Sequence, residues 1–427
     1  MTDMKRILMA AVPMLLLLAA CTKGPDPVIS LSKSDIEASC NAKDIYIPLS
    51  ANIDYDVNIQ GDANLWLSVA SKLSNELVIK MAANTTSSER VGKVDLTYNG
   101  NTLKTITITQ AEAEPQLIYA APENKNFIRM AYFPYYRNNT AYYMPDDYLK
   151  TVDVAAYAFA HINDKYKVYL ESGSGDISTL VSRCHSLGIK VVLSFAGEAK
   201  YYKEMVKKGS TRKIFIDSVM EIVNKYNMDG VDNDWEWPSS KDHTKQGNLL
   251  LMREFSNILH APGVNKMLTM AITSGKYSGG YQQGIDPGVY DCCDFFGVMI
   301  YDDSDPHSPF ELMTTAYNWW VGTAKMPPYK FVGGIPAYSR GSGKYKAYNT
   351  LVLSDGADPD ADSHTVDGIT YYYNGRKMVD KKVEYLYSEK KCGGYFFWEA
   401  GEDTTDDKSL LRRADATLKA LQAAESD

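Results

Sequence analysis

The sequence predicts an α/β protein in which a small all-β sandwich precedes a (β/α)8 TIM barrel. Two observations predict this fold class. Residues 28–112 form short alternating segments separated by turn residues, which is typical of antiparallel strands. Beyond them, apolar strand-like runs alternate with segments of helical periodicity, the pattern of parallel βα units. The chain has 427 residues, more than one average domain, so two domains are expected.

The N-terminus has the plan of an export signal. A basic pair, Lys5-Arg6, precedes an apolar run over 7–18 that is too short to span a bilayer as a helix. We expect residues 1–20 to be a signal peptide and residues 21–27 to be a short tether.

The end of this signal, Leu18-Ala19-Ala20-Cys21, resembles a bacterial lipobox. The resemblance implies that Cys21 is lipidated and becomes the mature N-terminus of an exported lipoprotein. Its acyl chains would attach it to a membrane, with the outer membrane or the cell surface as the expected location. An ordinary signal peptide with a chance cysteine is the alternative.

Residues 28–112 predict the sandwich. Asn99-Gly100 is a turn signal, with a loop expected to be a few residues longer than a minimal hairpin. The run from Arg90 to Gln110 resembles the BACON domains of bacterial lipoproteins. Because aromatic residues are few (Tyr46, Tyr55, Trp66 and Tyr98), a spacer role is favoured over sugar binding. The predicted strands are Val28–Leu31, Ile45–Leu49, Leu65–Val69, Leu77–Met81, Val94–Tyr98 and Thr105–Thr109.

A linker is predicted over 113–125, and the barrel over 126–427. The predicted barrel strands are Ile128–Phe133, Val154–Ala160, Lys190–Phe195, Gly230–Trp235, Leu268–Thr273, Phe295–Tyr301, Phe331–Ile335 and Tyr395–Trp398. The predicted helices are Ile177–Leu187, Lys213–Tyr226, Asn248–Leu259, Phe310–Thr323 and Ser409–Ala423. Such barrels carry their active sites where the strands end.

The fourth predicted strand carries a row of acids within the decapeptide Asp-Gly-Val-Asp-Asn-Asp-Trp-Glu-Trp-Pro, residues 229–238. Asp232, Asp234 and Glu236 are spaced two apart, so in a strand their side chains point to one face. Packing like charges closely forces their pKa values apart and keeps a protonated acid available near neutral pH. A solvated acidic loop is the alternative, but the bulky residues between the acids argue against it.

This decapeptide resembles the Asp-Gly-x-Asp-x-Asp-x-Glu signature of glycoside hydrolase family 18, the chitinases and endo-β-N-acetylglucosaminidases. The resemblance implies substrate-assisted hydrolysis with retention of configuration. Glu236 is then the acid and later the base, Asp234 holds the substrate acetamido group, and Asp232 shares a proton with Asp234. One departure is Asn233, where the family has an apolar residue; a buried amide there needs a hydrogen-bond partner.

Three more segments resemble the family at expected strand ends. Met299-Ile300-Tyr301-Asp302 resembles Met-x-Tyr-Asp, in which the tyrosine donates a hydroxyl to the acetamido oxygen. Residues 334–340 resemble Gly-x-Pro-x-Tyr-Gly-Arg, which implies that Tyr338 and Arg340 line the cleft. Trp398 occupies the position of the tryptophan under the reacting sugar. Met299, Asp302 and Tyr132, in the first predicted strand, complete the expected substrate-binding set.

Departures from the family bear on the substrate. Ala196 and Glu198 stand where chitinases have a glycine and an aromatic residue, so a stacking platform is missing. The segment between strands seven and eight is short for an insertion that walls a deep cleft. Short or branched N-acetylglucosamine glycans are therefore favoured over a long crystalline chain.

The leading functional prediction is hydrolysis of β-1,4 bonds next to N-acetylglucosamine by a chitinase or chitooligosaccharide hydrolase. Release of N-glycans by an endo-β-N-acetylglucosaminidase is the alternative within the family. A non-catalytic glycan-binding lipoprotein is the alternative of another class, and the presence of Glu236 argues against it. The expected partner is an oligo- or polysaccharide that contains N-acetylglucosamine.

Composition excludes other classes. The net charge of −8 argues against a nucleic-acid partner. Histidine and cysteine spacings match no metal motif, so we expect no metal, no cofactor and no structural disulfide. Cys292, Cys293 and Cys392 are expected to be buried beside barrel strands. Trp319-Trp320 is expected to pack a helix on the barrel.

Overall fold

The computed structural model describes residues 25–86, 88–124, 126–137, 144–171 and 177–426. The expected signal peptide over 1–20, Cys21 and the first part of the tether lie outside this range. The described chain forms two compact units. The first contains the described residues up to Asn84 together with Arg90–Ala111, and the second contains the chain from Glu112 onwards with the short segment 85–89. No described helix is long and apolar enough to cross a membrane.

The first unit is built of two four-stranded sheets, with strand orders β1-β3-β6-β5 and β2-β8-β7-β4. Alternating apolar side chains of both sheets form its core, among them Ile47, Ile79, Val94 and Ile108. The strands are β1 Ile29–Leu31, β2 Asp35–Ala38, β3 Lys43–Ala51, β4 Asp56–Ile59, β5 Leu67–Lys72, β6 Glu76–Met81, β7 Arg90–Tyr98 and β8 Asn101–Gln110.

Two details of the sandwich prediction are wrong. The β7–β8 connection is a minimal two-residue turn, because Tyr98 pairs with Asn101. Asn99 and Gly100 have φ values of +48° and +79°, the left-handed geometry that matches the twist of a tight hairpin. In addition, β2 runs parallel to β8, so the sandwich is not entirely antiparallel.

The aromatic residues of this unit offer few open ring faces. Tyr55 is buried, and its hydroxyl donates to the Leu73 carbonyl oxygen at 2.9 Å. The guanidinium of Arg90 lies over the ring of Trp66, 4.4 Å from its centroid. Tyr46 is exposed. The spacer role stays a prediction.

The second unit contains the predicted barrel, which is confirmed. Eight parallel strands close in the order β9-β10-β12-β13-β14-β15-β16-β21, and β21 pairs with β9. A short strand, β11 at Val168–Leu170, pairs antiparallel with the end of β10. The barrel strands are β9 Ile128–Pro134, β10 Val154–Ile162, β12 Lys190–Ala196, β13 Gly230–Asn233, β14 Met267–Thr273, β15 Phe295–Met299, β16 Phe331–Pro336 and β21 Gly394–Trp398.

Helices cover the outside of the barrel. Each predicted helix is present, with ends that differ by a few residues, and the one expected over 310–323 changes to π-helical geometry from Asn318. The helices are α1 Asp146–Leu149, α2 Ile177–Ser186, α3 Ala199–Met205, α4 Gly209–Lys225, α5 Thr244–Leu259, α6 Phe310–Tyr317, α7 Tyr348–Leu353, α8 Arg376–Glu384 and α9 Leu410–Ser426.

Side chains alternate between two cores. One face of the strands fills the barrel interior, with Met130, Val192 and Phe396 among its members. The other face packs on the helices in a larger cluster that includes the buried Cys292, Cys293 and Cys392, as predicted. Trp320 is also buried there, and its Nε1 donates to the Thr273 carbonyl oxygen at 2.8 Å, which confirms its structural role.

The chain between β16 and β21 forms an insertion that the sequence analysis did not predict. Four short strands make an antiparallel sheet of order β18-β17-β20-β19, with α7 beside it. The strands are β17 Tyr338–Gly341, β18 Lys344–Ala347, β19 Ser363–Val366 and β20 Ile369–Tyr372.

The predicted linker is attached to the second unit rather than free. The side-chain oxygen of Asn257, on α5, accepts hydrogen bonds from the backbone N–H groups of Ile118 and Tyr119 at 2.7 and 3.1 Å. The Ser256 hydroxyl donates to the Tyr119 carbonyl oxygen at 2.6 Å. These hydrogen bonds from α5 fix the approach of the chain to the first barrel strand.

Carboxylates close the lower rim, the end of the barrel where the strands begin. Asp153, Asp229 and Asp294 each stand directly before a strand. Each accepts a hydrogen bond from the backbone N–H of the neighbouring strand, at 3.0, 2.7 and 2.8 Å respectively. Each also contacts a basic side chain, which is Arg129, His185 or His260 in the same order.

Candidate active site

Strand β13 delivers the acid row to the upper rim, the end where the barrel strands finish. Its glycine is required, since a Cβ on Gly230 would lie 2.2 Å from the Met267 carbonyl oxygen of the next strand. The ladder ends at Asn233, so the predicted strand through Trp235 is too long. The alternation nevertheless continues, because Asp234 stays buried on the inner side while Trp235 stacks outward on Tyr202 with centroids 5.1 Å apart.

The side-chain amide of Asn233, where the family has an apolar residue, has hydrogen-bond partners. This side chain is fully buried, and its Nδ2 donates to the Asn248 side-chain oxygen of α5 at 3.2 Å. Its own oxygen accepts the backbone N–H of Trp235 at 3.2 Å, which supports the turn out of the strand. The amide thus links β13, α5 and the chain that follows β13 at Trp235.

Asp232 lies deepest and receives three hydroxyl groups. Tyr132, Ser194 and Thr269 donate to its oxygens at 2.9, 2.8 and 2.6 Å. Burial raises the pKa of Asp232, while the three donors oppose the rise because they stabilise the carboxylate. Asp232 is therefore held in one orientation beneath Asp234.

Asp234, unlike Asp232, has a carboxylate oxygen that accepts no hydrogen bond from the described residues. It is buried, and its Oδ1 has no hydrogen-bond partner among the described residues. Burial raises the pKa of Asp234 well above its ordinary value, and the charges of Glu236 and Asp232 raise it further. A buried acceptor without a donor is costly, so this atom is a position for a substrate donor or a shared proton.

Glu236 faces the open cavity beyond the strand. Desolvation raises its pKa from 4.5 to about 7, with a further contribution from the negative charge of Asp302. A carboxyl group with this pKa holds a proton near neutral pH and can also release it, which is what a general acid and base must do.

A cavity of about 800 Å³ opens in front of these acids. At one end, Trp398 is stacked on Phe159 with centroids 5.7 Å apart and is tilted against Tyr132. Tyr301 lies on the wall, and burial holds the pKa of its hydroxyl well above the usual range, so it stays a hydrogen-bond donor. The lining includes Tyr132, Phe159, Ala196, Lys203, Asp234, Glu236, Trp237, Met299, Tyr301, Asp302, Asp303 and Trp398.

Asp302 accepts hydrogen bonds from Tyr338 and Arg340, which lie on β17, the strand after β16. The Tyr338 hydroxyl and the Arg340 Nε each donate to its Oδ1 at 2.8 Å. Tyr338 is buried behind Asp302, and its hydroxyl points at that carboxylate, so the expectation that Tyr338 lines the cleft is corrected. Arg340 is partly exposed and lines a smaller pocket that shares Asp302 and Asp303 with the cavity, so its place in the cleft stays a prediction.

One wall of the cavity was not predicted from the sequence. The loop over 274–282, after β14, contributes Tyr277 and Tyr281, whose side chains are largely exposed. Asp303 accepts hydrogen bonds from Tyr277 and Lys276 and thereby joins this loop to the one after β15. Glycine and tyrosine in Gly-Lys-Tyr-Ser-Gly-Gly-Tyr, residues 275–281, were the available signal. None of the described residues of the insertion sheet lines the cavity.

Among the residues that the structure describes, no group of His, Cys, Asp and Glu side chains could hold a metal ion. The side chains at the site offer proton transfer by Glu236, hydrogen bonding by Asp234 and Tyr301, and stacking on Trp398. Enzymes that cleave glycosidic bonds use carboxylates in this way. The fold and the site together define a glycoside hydrolase.

The chain belongs to the glycosyl hydrolases family 18, whose family model matches residues 129–403. Residues 55–111 match the model of BACON, a putative N-terminal binding domain.

Individual relatives are distant. A class V chitinase of Lotus japonicus is 24% identical over 357 residues, which are 69% of this chain and 87% of that protein. The solved chitinase ChiB of Flavobacterium johnsoniae superposes with a TM-score of 0.59 at 22% identity, over 70% of this chain and 96% of that one. A class V chitinase mutant of Cycas revoluta, solved with (GlcNAc)3, gives 0.59 at 20% identity over 68% and 99%. The protein is thus a family 18 glycoside hydrolase by family and fold.

Proposed function

We propose that this protein hydrolyses β-1,4 glycosidic bonds next to N-acetylglucosamine by a retaining, substrate-assisted mechanism. One observation carries the proposal. The buried Oδ1 of Asp234 has no hydrogen-bond partner among the described residues. In the sequence, Asp234 lies between Asp232, which accepts three hydroxyl hydrogen bonds, and Glu236, whose pKa is raised to about 7. An acetamido N–H of the substrate would supply the missing donor.

The proposed reaction has two halves. Glu236 donates its proton to the glycosidic oxygen as the bond to the anomeric carbon breaks, and the substrate's own acetamido oxygen bonds to that carbon. Asp234 accepts the acetamido N–H and stabilises the positive oxazolinium ion, while the Tyr301 hydroxyl donates to the acetamido oxygen. Glu236 then removes a proton from the incoming water, whose oxygen replaces the acetamido oxygen.

Asp232 would work through Asp234. Three hydroxyl donors stabilise charge on Asp232, whereas no described residue donates such a bond to the buried Oδ1 of Asp234. A proton shared by the pair can therefore reside on Asp234 while the site is empty. When an acetamido N–H arrives, the proton moves toward Asp232 and leaves Asp234 charged beside the oxazolinium ion.

Chitooligosaccharides are the proposed substrates. Several of the relatives that match are chitinases, and a solved chitinase of similar fold holds (GlcNAc)3. Trp398 and Phe159 supply an aromatic floor for a pyranose at one end of the cavity. Release of N-glycans is the second candidate, favoured by Glu198, whose exposed side chain pairs with Lys200 at the position where chitinases have an aromatic residue.

Mass spectrometry of the products tests the substrate. Residues 22–427 are incubated with chitohexaose and, in parallel, with a high-mannose glycoprotein. Short chitooligosaccharides from the first substrate support the proposal. Glycans released with one N-acetylglucosamine left on the protein would assign an endo-β-N-acetylglucosaminidase instead. No product from either would contradict both.

The proposed acid is tested by Glu236→Gln, which can neither give nor take a proton. We expect kcat to fall by about 100- to 10,000-fold, the usual contribution of general acid–base catalysis. Binding of chitohexaose should persist, which isothermal titration calorimetry would measure. A loss of activity below about tenfold would remove Glu236 from its role.

We also propose that the protein is exported and anchored through acyl chains on Cys21. The support is the sequence alone, with a basic pair, an apolar run and the lipobox-like Leu18-Ala19-Ala20-Cys21. Mass spectrometry of the mature N-terminus from membranes should find acylated Cys21, and Cys21→Ser should release the protein. A mature chain that begins at another residue would contradict the proposal.

A further inference from the structure

Two buried carboxylates follow directly after the aromatic floor of the cavity. Glu399 is the residue after Trp398, and Glu402 lies one turn further on; both side chains are 1% exposed. The Oε2 of Glu399 accepts the backbone N–H of Gly401 at 2.8 Å, which fixes the turn over 400–402. The Oε2 of Glu402 is buried and has no hydrogen-bond partner among the described residues.

One guanidinium serves both acids. Arg137, in the turn after β9, donates from Nε to Glu399 at 2.6 Å and from Nη2 to Glu402. Glu402 also accepts a hydrogen bond from the Tyr345 hydroxyl of the insertion. Burial raises the pKa of Glu399 to about 7, against the opposing attraction of Arg137. Without Arg137, Glu399 and Glu402 would be two buried carboxyl groups with no cation in contact among the described residues.

Removal of a cation from a buried ion pair leaves an uncompensated charge, and the structure must relax to rehydrate it. Here the relaxing segment is joined by one peptide bond to Trp398. The backbone of Trp398 is fixed by strand β21, and its indole has ring contacts with Phe159 and Tyr132, at 5.7 and 5.2 Å. Ring contacts are weak and tolerate sliding, whereas a forked guanidinium fixes direction.

We propose that Arg137 is a positioning residue of the hydrolase, which holds Trp398 under the reacting sugar by pairing with Glu399 and Glu402. The inference rests on the proposed function, because it takes Trp398 as the floor for that sugar. It adds a connection that the sequence motifs do not show, between the turn after the first barrel strand and the residue that ends the last one.

Arg137→Met tests the proposal through kcat and KM on chitohexaose. A displacement of the floor by about 1 Å disturbs both sugar binding and the reacting geometry, so kcat/KM should fall by about 100-fold, shared between kcat and KM. Arg137→Lys keeps the charge but not the fork, so it should recover only part of the activity. A kcat/KM within about twofold of wild type for Arg137→Met would overturn the proposal.

A matched control separates positioning from stability. Arg413 makes an ion pair with Asp380 through Nε and Nη2, on a part of the surface away from the cavity. Arg413→Met should leave kcat/KM unchanged. In the triple variant Arg137→Met, Glu399→Gln, Glu402→Gln, no buried charge is left unpaired, so activity should rise again by about tenfold. Failure of this rescue, with the thermal midpoint of Arg137→Met equal to wild type, would also overturn the proposal.

A binding measurement keeps the two proposals apart. In the Glu236→Gln background, chitohexaose affinity is measured by calorimetry with and without Arg137→Met. An affinity loss of about tenfold or more supports the role of Arg137 even if the wild type hydrolyses another glycan. The positioning role would be refuted if Arg137→Met changed neither the affinity of the Glu236→Gln variant nor the activity of the enzyme that keeps Glu236. A wild type that does not hydrolyse chitohexaose would refute only the proposed function.

Discussion

Asp302 places a negative charge beside the candidate acid Glu236 and so tunes its proton affinity. After desolvation, this charge is the next cause that raises the pKa of Glu236 to about 7. Asp302→Asn removes the charge and makes the ionised form of Glu236 less costly, so the pKa should fall. The alkaline limb of the kcat/KM profile, which reports the acid of the free enzyme, should move to lower pH.

Asp305→Asn is the matched control, since Asp305 lies in the same loop and accepts the backbone N–H of Ser342 instead. Its profile should follow the wild type. If the alkaline limb of Asp302→Asn stayed in place or moved to higher pH, Asp302 would not be the charge that Glu236 senses.

The residue pattern predicted the acid row because the spacing of the acids fixes which side of a strand their side chains occupy. Three acids two apart share one side of an extended chain, and the structure places Asp232 and Asp234 on the buried inner side. Their supports could not be predicted. Ser194 and Thr269 are small polar residues inside apolar runs, and nothing local shows that both hydroxyls reach the same carboxylate. A motif likewise does not say where a side chain points, as Tyr338 shows.

At the scale of elements, the lower-rim carboxylates are expected to stabilise the barrel. Asp294 accepts the backbone N–H of Leu268 at 2.8 Å and lies 3.1 Å from His260. Asp294→Ala leaves a buried N–H without a partner, which should lower the free energy of unfolding by about 1–3 kcal/mol. Urea denaturation of the full chain, monitored by tryptophan fluorescence, measures the change.

Asp217→Ala provides the comparison, because Asp217 pairs with Lys213 on the exposed surface of α4. Such pairs contribute about 0–1 kcal/mol, so this variant should unfold close to wild type. Equal effects of the two substitutions would mean that the rim hydrogen bond adds nothing beyond a surface ion pair.

Among the elements, the barrel strands were predictable and the insertion was not. Barrel strands are buried on both faces and read as continuous apolar runs, which separate clearly from amphipathic helices. The insertion strands have four residues each and are mostly polar, as in Lys344–Ala347 and Ser363–Val366. Their pairing depends on residues distant in sequence, as in Arg340 with Tyr372, so the local pattern of apolar residues does not predict it. The end of β13 was also missed, because the alternation continues past the last ladder bond.

For the whole molecule, the candidate acid should reduce stability at neutral and alkaline pH. Glu236 has a pKa of about 7 in the folded protein and 4.5 as its ordinary value. Between these values, the folded state keeps a proton that the unfolded chain has lost, so stability falls as pH rises through this window. Glu236→Gln escapes the fall and should have a higher thermal midpoint than wild type at pH 8, with little difference at pH 4.

Differential scanning calorimetry at both pH values checks this, with Glu221→Gln on the exposed side of α4 as the control. Solvent in the cavity screens the charge of Glu236, so the gain should be modest. A midpoint for Glu236→Gln that exceeds wild type equally at pH 4 and pH 8 would contradict the titration and point to a packing effect.

The carboxylates that seal the lower rim stand at the opposite end of the strands from the sugar chemistry. The upper loops can therefore diverge in sequence without loss of the lower-rim hydrogen bonds, since within the described part of the chain Asp153, Asp229 and Asp294 bond to no upper-rim loop. An engineer who grafts loops from another glycosidase onto the upper rim inherits the same freedom. The lower rim is the part of the molecule that such a chimaera should leave untouched.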